Sequence, residues 1–297
     1  DHHVRGETYF WELDDVGGPN YGIGYFSLFV LTLVPSLFRS FVKIHLDHWD
    51  LNYATDEEKE IAEKFEESDL TLVQLNKQNR ILMFGYFKKN KVYKSELLFC
   101  KKCVTVFHKH QVRNKILFPK SYHYRSSLTQ DVIEGMKLLF QRVKKIKKNI
   151  IGRNVLDIGC NDGTLLEIFK KAGCNTFGVE PTNAAKIAEK KHVIYNDFFN
   201  EQLAKKIKKQ IKKIDVIVFT NVFAHINNLK TLIKGLRLLI DKDTLIVIEN
   251  HYLGSVIKRK QFDTFYHEHP RTYSLTSFLK ISELLSLNLT LCEFPKR

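Results

Sequence analysis

The sequence predicts an α/β fold whose main domain is a doubly wound, mainly parallel sheet. Residues 154–166 read as an apolar strand, a glycine-containing turn and the start of a helix. Apolar strands follow at 176–179, 193–195, 215–219 and 244–249, with helical stretches such as 229–239 between them. Acidic residues stand at the carboxyl ends of the first three strands. This alternation is typical of a doubly wound domain that binds a ligand at its strand ends.

Composition and charge exclude several classes of protein. A chain of 297 residues, 44% hydrophobic and 27% charged, buries a substantial core, which excludes disorder throughout. Its five cysteines are too few for a disulfide framework, and no secretory signal pattern opens the chain, so we expect a cytoplasmic protein. The net charge is +14, but residues 1–70 carry 5 basic and 15 acidic groups, whereas 71–150 carry 19 and 3. We therefore expect an N-terminal segment at 1–70, a small module at 71–148 and the main domain at 149–297.

The N-terminal segment contains an apolar run, residues 21–38, with no charge over 18 residues. That length only just meets the requirement of a membrane-spanning helix. Two interpretations stay open: a helix that spans or contacts a membrane, and a helix buried in the core. If the run spans, Arg39 and Lys43 place the following chain in the cytoplasm. An acidic amphipathic helix is expected next, from about residue 55 to 67.

The middle module is predicted to be β-rich, with strands around 71–75, 81–87 and 95–100 and then a helix from about Thr129. Cys100 and Cys103 have the C-x2-C spacing with which two thiolates reach one zinc ion. A structural zinc site needs four ligands, and the sequence has no second pair with this spacing. A zinc-ribbon-like module and a degenerate one with two thiols therefore both stay open.

Lysine-rich stretches at 142–148 and 205–213 raise the question of nucleic-acid binding. In the second stretch, Ile207 and Ile211 lie four residues apart, which predicts a helix whose apolar stripe packs inward while its lysines face water. No aromatic residues stand among these lysines to stack on bases. We expect a solvated face and no nucleic-acid partner, although the positive field suits an anionic substrate such as a sugar nucleotide.

The turn after the first strand predicts the cofactor. Asp157 ends the strand, and Gly159 and Gly163 follow with a spacing that differs from the dinucleotide pattern G-x-G-x-x-G. An acidic residue here repels a pyrophosphate and attracts a cationic amino-acid group, while the glycines let the backbone pass close to a ligand. The predicted cofactor is therefore S-adenosylmethionine.

Two further strand ends extend this site. Glu180 follows the second strand, about twenty residues after the turn, where its carboxylate can accept both ribose hydroxyl protons. After the third strand, Asp197 is placed for the adenine amino group and Phe198 for the adenine face.

Three stretches of the chain resemble the sugar C-methyltransferases, which methylate a carbon of a nucleotide-linked keto-deoxysugar. They are residues 157–163 (DIGCNDG), 221–226 (NVFAHI) and 262–269 (FDTFYHEH), with 122–127 (YHYRSS) and the C-x2-C pair upstream. The resemblance covers about residues 71–297 and implies the Rossmann-like sheet of a class I methyltransferase. It also implies that Asn161 and Asn221, within the first two stretches, belong to the cofactor site.

The same resemblance implies where the chemistry takes place. Methylation of carbon needs a base that removes a proton beside a ketone and a group that stabilises the enolate oxygen. By resemblance His269 is the base, held by Glu268, while Tyr266 and His225 lie near the sugar oxygens. The expected substrate is a nucleotide-diphosphate keto-deoxysugar, with the sugar and the oligomeric state left open.

Two departures from the family pattern keep other functions open. The module before the main domain lacks one C-x2-C pair, and no strand follows the one expected at 287–294, although a class I sheet needs a seventh strand. One alternative is a small-molecule O- or N-methyltransferase of the same fold, which would not need the Tyr-His-Glu-His cluster. The other is a non-catalytic, truncated or fused fragment that associates with a membrane.

Overall fold

The computed structural model describes residues 26–32, 93–261 and 264–294. The strands in these ranges are β1 Phe26–Thr32, β2 Leu97–Cys100, β3 Thr105–His108, β4 Asn154–Ile158, β5 Asn175–Val179, β6 Val193–Tyr195, β7 Val216–Thr220, β8 Leu245–His251, β9 Arg271–Tyr273 and β10 Asn288–Glu293. The α-helices there are α1 Asn114–Leu117, α2 Gln130–Lys147, α3 Thr164–Lys171, α4 Ala185–Ala188, α5 Glu201–Gln210, α6 Leu229–Leu239, α7 Leu253–Lys258 and α8 Leu275–Leu285. Short 3-10 helices cover Ser126–Leu128 and Phe223–His225.

The main sheet has seven strands in the order β10-β1-β8-β7-β4-β5-β6. The five strands from β8 to β6 run parallel to one another. The chain moves outward from β4 through β5 and β6 and then returns to β7 on the other side of β4. A ligand crevice is expected where the strand order reverses in this way, outside the carboxyl ends. The topology confirms the predicted doubly wound α/β fold.

Strand β1 corrects the interpretation of the apolar run at 21–38. Its central part, Phe26–Thr32, is a strand and neither a membrane-spanning nor a buried helix. This strand lies between β8 and β10 and is antiparallel to both. A short apolar run suits a central strand as well as a buried helix, and periodicity alone does not separate the two. Within the described ranges, none of the helices is both long enough and apolar enough to cross a membrane.

The seventh strand of the sheet is therefore not where the sequence predicts it. We expect it beyond residues 287–294, but that stretch forms the edge strand β10, and β1 takes the seventh position. Strands are joined by backbone hydrogen bonds, which an extended segment can supply from any place in the chain. Register places Phe26 opposite His251 and Leu28 opposite Glu249, so β1 borders the carboxyl end of β8.

Apolar side chains cover both faces of the main sheet. On one face, residues of α5, α6 and α8 pack against the sheet, and burial of Ile207 and Ile211 confirms the predicted stripe. On the other face, Leu139 and Val143 of α2 and Phe169 of α3 form a second cluster with the strands. From the sequence we expect α2 in the middle module, but its apolar side is buried against the main sheet. It therefore belongs to the core of the main domain.

A second sheet joins the middle module to the main domain. Its order is β2-β3-β9, all antiparallel. The predicted strand at 95–100 is confirmed as β2, which forms a hairpin with β3, whereas β9 follows the stretch 264–270 of the main domain directly. The strands predicted at 71–75 and 81–87 and the acidic helix at 55–67 lie outside the described residues.

Candidate functional site

The carboxyl ends of the parallel strands hold the predicted cofactor residues. Asp157 lies near the end of β4, Glu180 directly follows β5, Asp197 follows β6 and Asn221 directly follows β7. The stretch 264–270 comes after β8 and α7. Because the carboxyl ends of parallel strands meet at one edge of a sheet, these residues share the edge where a ligand is expected.

Asp157 has the properties of a site for a cation. Its side chain is buried, and neither carboxylate oxygen has a hydrogen-bond partner among the described residues. Burial raises the pKa of Asp157 to about 8, and the charge of Glu180 adds to the shift. A buried carboxyl group without a partner is costly. The ammonium group of S-adenosylmethionine would be such a partner, so this end of the site fits the predicted cofactor.

Gly159 and Gly163 shape the turn after Asp157. Their φ angles are +80° and +82°. A Cβ on Gly159 would lie 2.3 Å from Cγ2 of Val222, and a Cβ on Gly163 would lie 3.0 Å from Cδ2 of His192. Glycine alone suits both this backbone conformation and this space. The turn can therefore approach the segment after β7 closely.

Glu180 and Asn161 hold the same turn in place. Glu180 accepts hydrogen bonds from the backbone N–H groups of Asn161, at 3.0 Å, and Thr182, at 2.8 Å. Each of its oxygens keeps a second lone pair for ligand hydroxyls. Asn161 Oδ1 accepts from the backbone N–H groups of Ser126, at 3.1 Å, and Asp162, at 2.9 Å. The Asn161 side chain thus packs the loop, and its contact with a cofactor stays a prediction.

Asp197 and Phe198 lie beside this turn, after β6. Asp197 is exposed, and its Oδ1 accepts a hydrogen bond from the backbone N–H of Phe198 at 2.8 Å. The Phe198 side chain is half-buried. Since β5 and β6 are parallel neighbours, both residues lie at the same sheet edge as Glu180. Their contact with an adenine ring stays a prediction.

The segment after β7 also contains a buried side-chain oxygen, that of Asn221, with no hydrogen-bond partner within the described parts of the chain. Asn221 has a φ angle of 56°, and its backbone N–H donates to the Glu249 carbonyl at 3.0 Å. Its Oδ1 is buried without a hydrogen bond. Asn250 fixes the next turn, because its Oδ1 accepts from the Ala224 backbone N–H at 3.2 Å. Asn221 can therefore offer an acceptor to a ligand at this edge.

His269 has the geometry of a general base. Nδ1 lies 3.0 Å from the Thr264 carbonyl oxygen, and Nε2 lies 3.2 Å from the Tyr266 hydroxyl oxygen. Because a carbonyl oxygen only accepts, Nδ1 carries the proton and the lone pair is on Nε2. Burial lowers the pKa of His269 to about 4. The ring is therefore neutral at pH 7, and Nε2 can take up a proton.

Two more histidines pack against His269. Its ring centroid lies 4.9 Å from that of His225 and 4.5 Å from that of His251. His225 also stacks on Phe118, at 5.1 Å. Burial, reinforced by the neighbouring imidazoles, lowers the pKa of His225 and of His251 well below its usual range. Sequence reasoning missed His251, although its position at the end of β8 could have pointed to it.

Glu268 does not hold His269 as the sequence analysis expects. Glu268 Oε2 accepts a hydrogen bond from the Tyr122 hydroxyl at 3.2 Å. The Thr264 carbonyl, earlier in the same loop, is within hydrogen-bonding distance of the His269 ring and takes this role. Burial raises the pKa of Glu268 to about 7, against the effect of the Tyr122 hydrogen bond. Its carboxyl group can therefore exchange a proton near neutral pH.

A segment of the middle module crosses the strand ends, although none of its residues is among the predicted site residues. We call residues 112–127 the crossing segment; it includes the YHYRSS stretch. The crossing segment contacts the sheet edge at two places, at the cofactor end and beside His225 and Glu268. The contacts are Val112 O with Asn227 Nδ2, Phe118 with His225, Lys120 O with Asn183 N, Tyr122 with Glu268, Ser126 N with Asn161, and Ser127 N with Asp162.

Cys100 is the last residue of β2, and Cys103 lies in the turn that leads to β3. Cys103 Sγ is 3.3 Å from Thr105 Oγ1, and Ser277 Oγ donates to the Cys103 carbonyl at 2.9 Å. These contacts attach the turn to the start of α8. Over the ranges that the structure covers, no three Cys, His, Asp or Glu side chains are placed to bind a metal ion. The zinc expected as one alternative is therefore not supported at Cys100 and Cys103.

The chain is similar to known methyltransferases. A family model described as "Methyltransferase domain" matches residues 124–290. A curated relative, "C-methyltransferase NovU" of Streptomyces niveus, is 28% identical over 190 residues, which is 63% of this chain and 45% of that protein. The chain thus spans less than half the length of this relative.

Two solved structures are also similar. An S-adenosylmethionine-dependent methyltransferase of Archaeoglobus fulgidus has 24% identity and a TM-score of 0.40, covering 50% of this chain and 68% of that one. The sugar N-methyltransferase KedS8 of a Streptoalloteichus species has 17% identity and a TM-score of 0.31, covering 39% of this chain and 47% of that one.

Proposed function

Since the chain belongs to the methyltransferase domain family and has a class I α/β fold, we propose that it is an S-adenosylmethionine-dependent C-methyltransferase. The substrate is a nucleotide-diphosphate deoxysugar with a ketone next to the methylated carbon. The observation that carries this proposal is His269, a buried neutral imidazole whose Nε2 lone pair faces the Tyr266 hydroxyl. The similarity to a protein named as a C-methyltransferase supports the same type of reaction.

The cofactor end of the site would be formed by groups from four strand ends. Asp157 holds the ammonium group. The attraction between the two charges offsets the cost of keeping the buried carboxylate oxygens away from water. Glu180 accepts from the ribose hydroxyls, and Asp197 and Phe198 contact the adenine. Asn221 offers its buried Oδ1 to the same ligand. When bound, the cofactor supplies an electrophilic methyl group.

His269 performs the proton transfer in this proposal. The bond between hydrogen and the carbon beside the ketone breaks, its electron pair forms the enolate, and the proton goes to Nε2. Nδ1 keeps its proton on the Thr264 carbonyl, so the ring enters the step in one tautomer. The low pKa of the buried ring does not prevent the transfer, because the negative enolate beside it stabilises the imidazolium while both form.

Neighbouring groups hold the oxygens of the sugar. Tyr266 hydroxyl lies next to Nε2 of the base and can donate a hydrogen bond to the enolate oxygen. His225 packs on the other side of His269 and is fixed by Phe118 of the crossing segment. Crowding of neutral imidazoles excludes water from the base, which strengthens every hydrogen bond to the enolate.

A methyl-transfer assay tests this function. The full chain is incubated with S-adenosylmethionine carrying a 13C methyl group and a set of nucleoside-diphosphate 4-keto-6-deoxysugars, and the product is located by NMR. We expect a new carbon–carbon bond beside the ketone, lost in His269→Asn and kept in His110→Asn, an exposed histidine bonded to Glu96. Methyl on oxygen or nitrogen would support the alternative class, and cofactor binding without transfer would refute the proposal.

A further inference from the structure

Two buried histidines outside the catalytic cluster meet where the small sheet joins the main domain. His108 ends β3, and His267 lies in the loop between α7 and β9. Their ring centroids are 4.9 Å apart. The His108 backbone N–H donates to the Pro270 carbonyl at 3.0 Å, which fixes β3 against this loop. The middle module therefore contributes an imidazole directly beside the stretch that carries Tyr266 and His269.

These residues have an unusual number of unused hydrogen-bonding atoms. Both ring nitrogens of His108, Nδ1 of His267 and Oε1 of Glu268 are buried and have no hydrogen-bond partner among the described residues. The backbone of Tyr266 approaches the His108 ring and the backbone of His110 approaches the His267 ring, but neither contact meets hydrogen-bonding geometry. His108 is 1% exposed and Glu268 2%. Because buried polar groups are nearly always paired in folded proteins, a cluster of this kind calls for a partner that is not among the described residues.

The protonation states define the chemistry of that partner. Burial lowers the pKa of His108 to about 4, with smaller effects from His267 and His269, and burial also lowers the pKa of His267. Both rings are therefore neutral at pH 7, and each has one donor and one acceptor. Nε2 of His267 lies 3.4 Å from the Tyr93 carbonyl, so its Nδ1 has the acceptor role. Groups that donate and accept at once, such as hydroxyls, match this set.

A phosphate group matches the set poorly. Anions are best held by charged donors, whereas these imidazoles are neutral and stand next to a carboxyl group. Exposed cationic side chains suited to a diphosphate lie elsewhere, on the crossing segment, at Arg113, Lys115 and Lys120.

We propose that His108 and His267 form a subsite for the hydroxyl groups of the sugar ring, next to the catalytic histidines. This inference rests on the proposed function, because it names the part of that substrate which the residues contact. It also assigns a role to the hairpin of the middle module, which is to complete the sugar pocket. His108 thereby determines which sugar is accepted.

A matched pair of substitutions at His108 tests the subsite. Leucine removes both hydrogen-bonding atoms of the imidazole. Asparagine has nearly the same size and shape as leucine but keeps a donor and an acceptor. The full chain and both variants are titrated calorimetrically with thymidine diphosphate linked to 4-keto-6-deoxyglucose, with thymidine diphosphate alone, and with S-adenosylmethionine. We expect His108→Leu to bind the sugar nucleotide about tenfold more weakly, as the loss of one or two hydrogen bonds implies. His108→Asn should recover most of this affinity.

The other two ligands distinguish a specific loss of sugar binding from a general loss of folded structure. Affinity for thymidine diphosphate and for S-adenosylmethionine should stay unchanged in both variants. Equal affinity of wild type and His108→Leu for the sugar nucleotide would overturn the subsite. If the wild type binds the sugar nucleotide but does not methylate it, the proposed function fails while the comparison at His108 still decides the subsite.

Discussion

Replacement of Gly159 by alanine tests whether the turn after β4 is shaped by contact with the segment after β7. The Cβ of alanine would lie 2.3 Å from Cγ2 and 2.8 Å from Cγ1 of Val222. Cβ atoms essentially never approach other heavy atoms so closely, so the turn or the valine must move. The φ angle of +80° adds a second cost, because it lies in the left-handed region.

The two costs can be estimated separately. Placing an L-residue in the left-handed region costs about 1–2 kcal/mol, and forcing an extra methyl group into a packed site costs about 1–3 kcal/mol. We therefore expect Gly159→Ala to lower the free energy of unfolding by about 2–5 kcal/mol. Truncation of the neighbour, Val222→Ala, should relieve the steric part and leave the conformational part.

A double-mutant cycle measures this coupling. Urea unfolding of wild type, both single variants and the double variant is followed by far-ultraviolet circular dichroism. The account predicts a favourable coupling energy of about 1–3 kcal/mol between the two substitutions. Additive effects, within about 0.5 kcal/mol, would refute the reasoning, because they would mean that Val222 does not occupy the space beside Gly159.

The remaining predictions concern the cofactor end and the two sheets. Because the pKa of Asp157 is raised to about 8, binding of S-adenosylmethionine at pH 7 should release a proton, as buffer-dependent calorimetry can show. The affinity should rise from about pH 6 to about pH 8, above which the amino group of the ligand loses its own proton. Asp157→Asn should release none and bind about ten- to hundredfold more weakly; unchanged affinity would contradict the role of this carboxylate. Phe29→Cys should form a disulfide with Cys292, its partner in register, which mass spectrometry of the oxidised variant detects. A variant that stays fully reduced under the same conditions would argue against this register. Ser277→Ala removes the hydroxyl that joins the C-x2-C turn to α8 and should lower the free energy of unfolding by about 1–2 kcal/mol; equal thermal unfolding curves would argue against the link.

The parallel part of the fold could be predicted from the sequence because each of its elements has a local signal. The strand at 154–158, its glycine turn and the helix at 229–239 are found at the predicted places. The apolar run at 21–38 has no such signal, since strand and buried helix share its composition. Its pairing with β8 and β10 joins residues more than two hundred positions apart along the chain. Periodicity within a short window carries no information on such contacts.

The candidate site could be predicted in part for the same reason. Asp157 and Glu180 follow from their positions at strand ends, and His269 follows from a resemblance in a short stretch. The bond of Glu268 to Tyr122 depends on how the crossing segment lies over the sheet, and no local pattern encodes this. No local pattern points to His108 either, because its neighbour His267 comes close only when β3 pairs with β9.

Exchange of the proton beside the ketone tests the central claim most directly. The full chain is incubated in D2O with the nucleoside-diphosphate keto-deoxysugar and without methyl donor, and deuterium uptake at that carbon is followed by NMR. The account predicts exchange that is fast in wild type, absent in His269→Asn, and slowed in Tyr266→Phe because the enolate loses a hydrogen-bond donor. Equal exchange in wild type and His269→Asn would show that His269 is not the base and contradict the account.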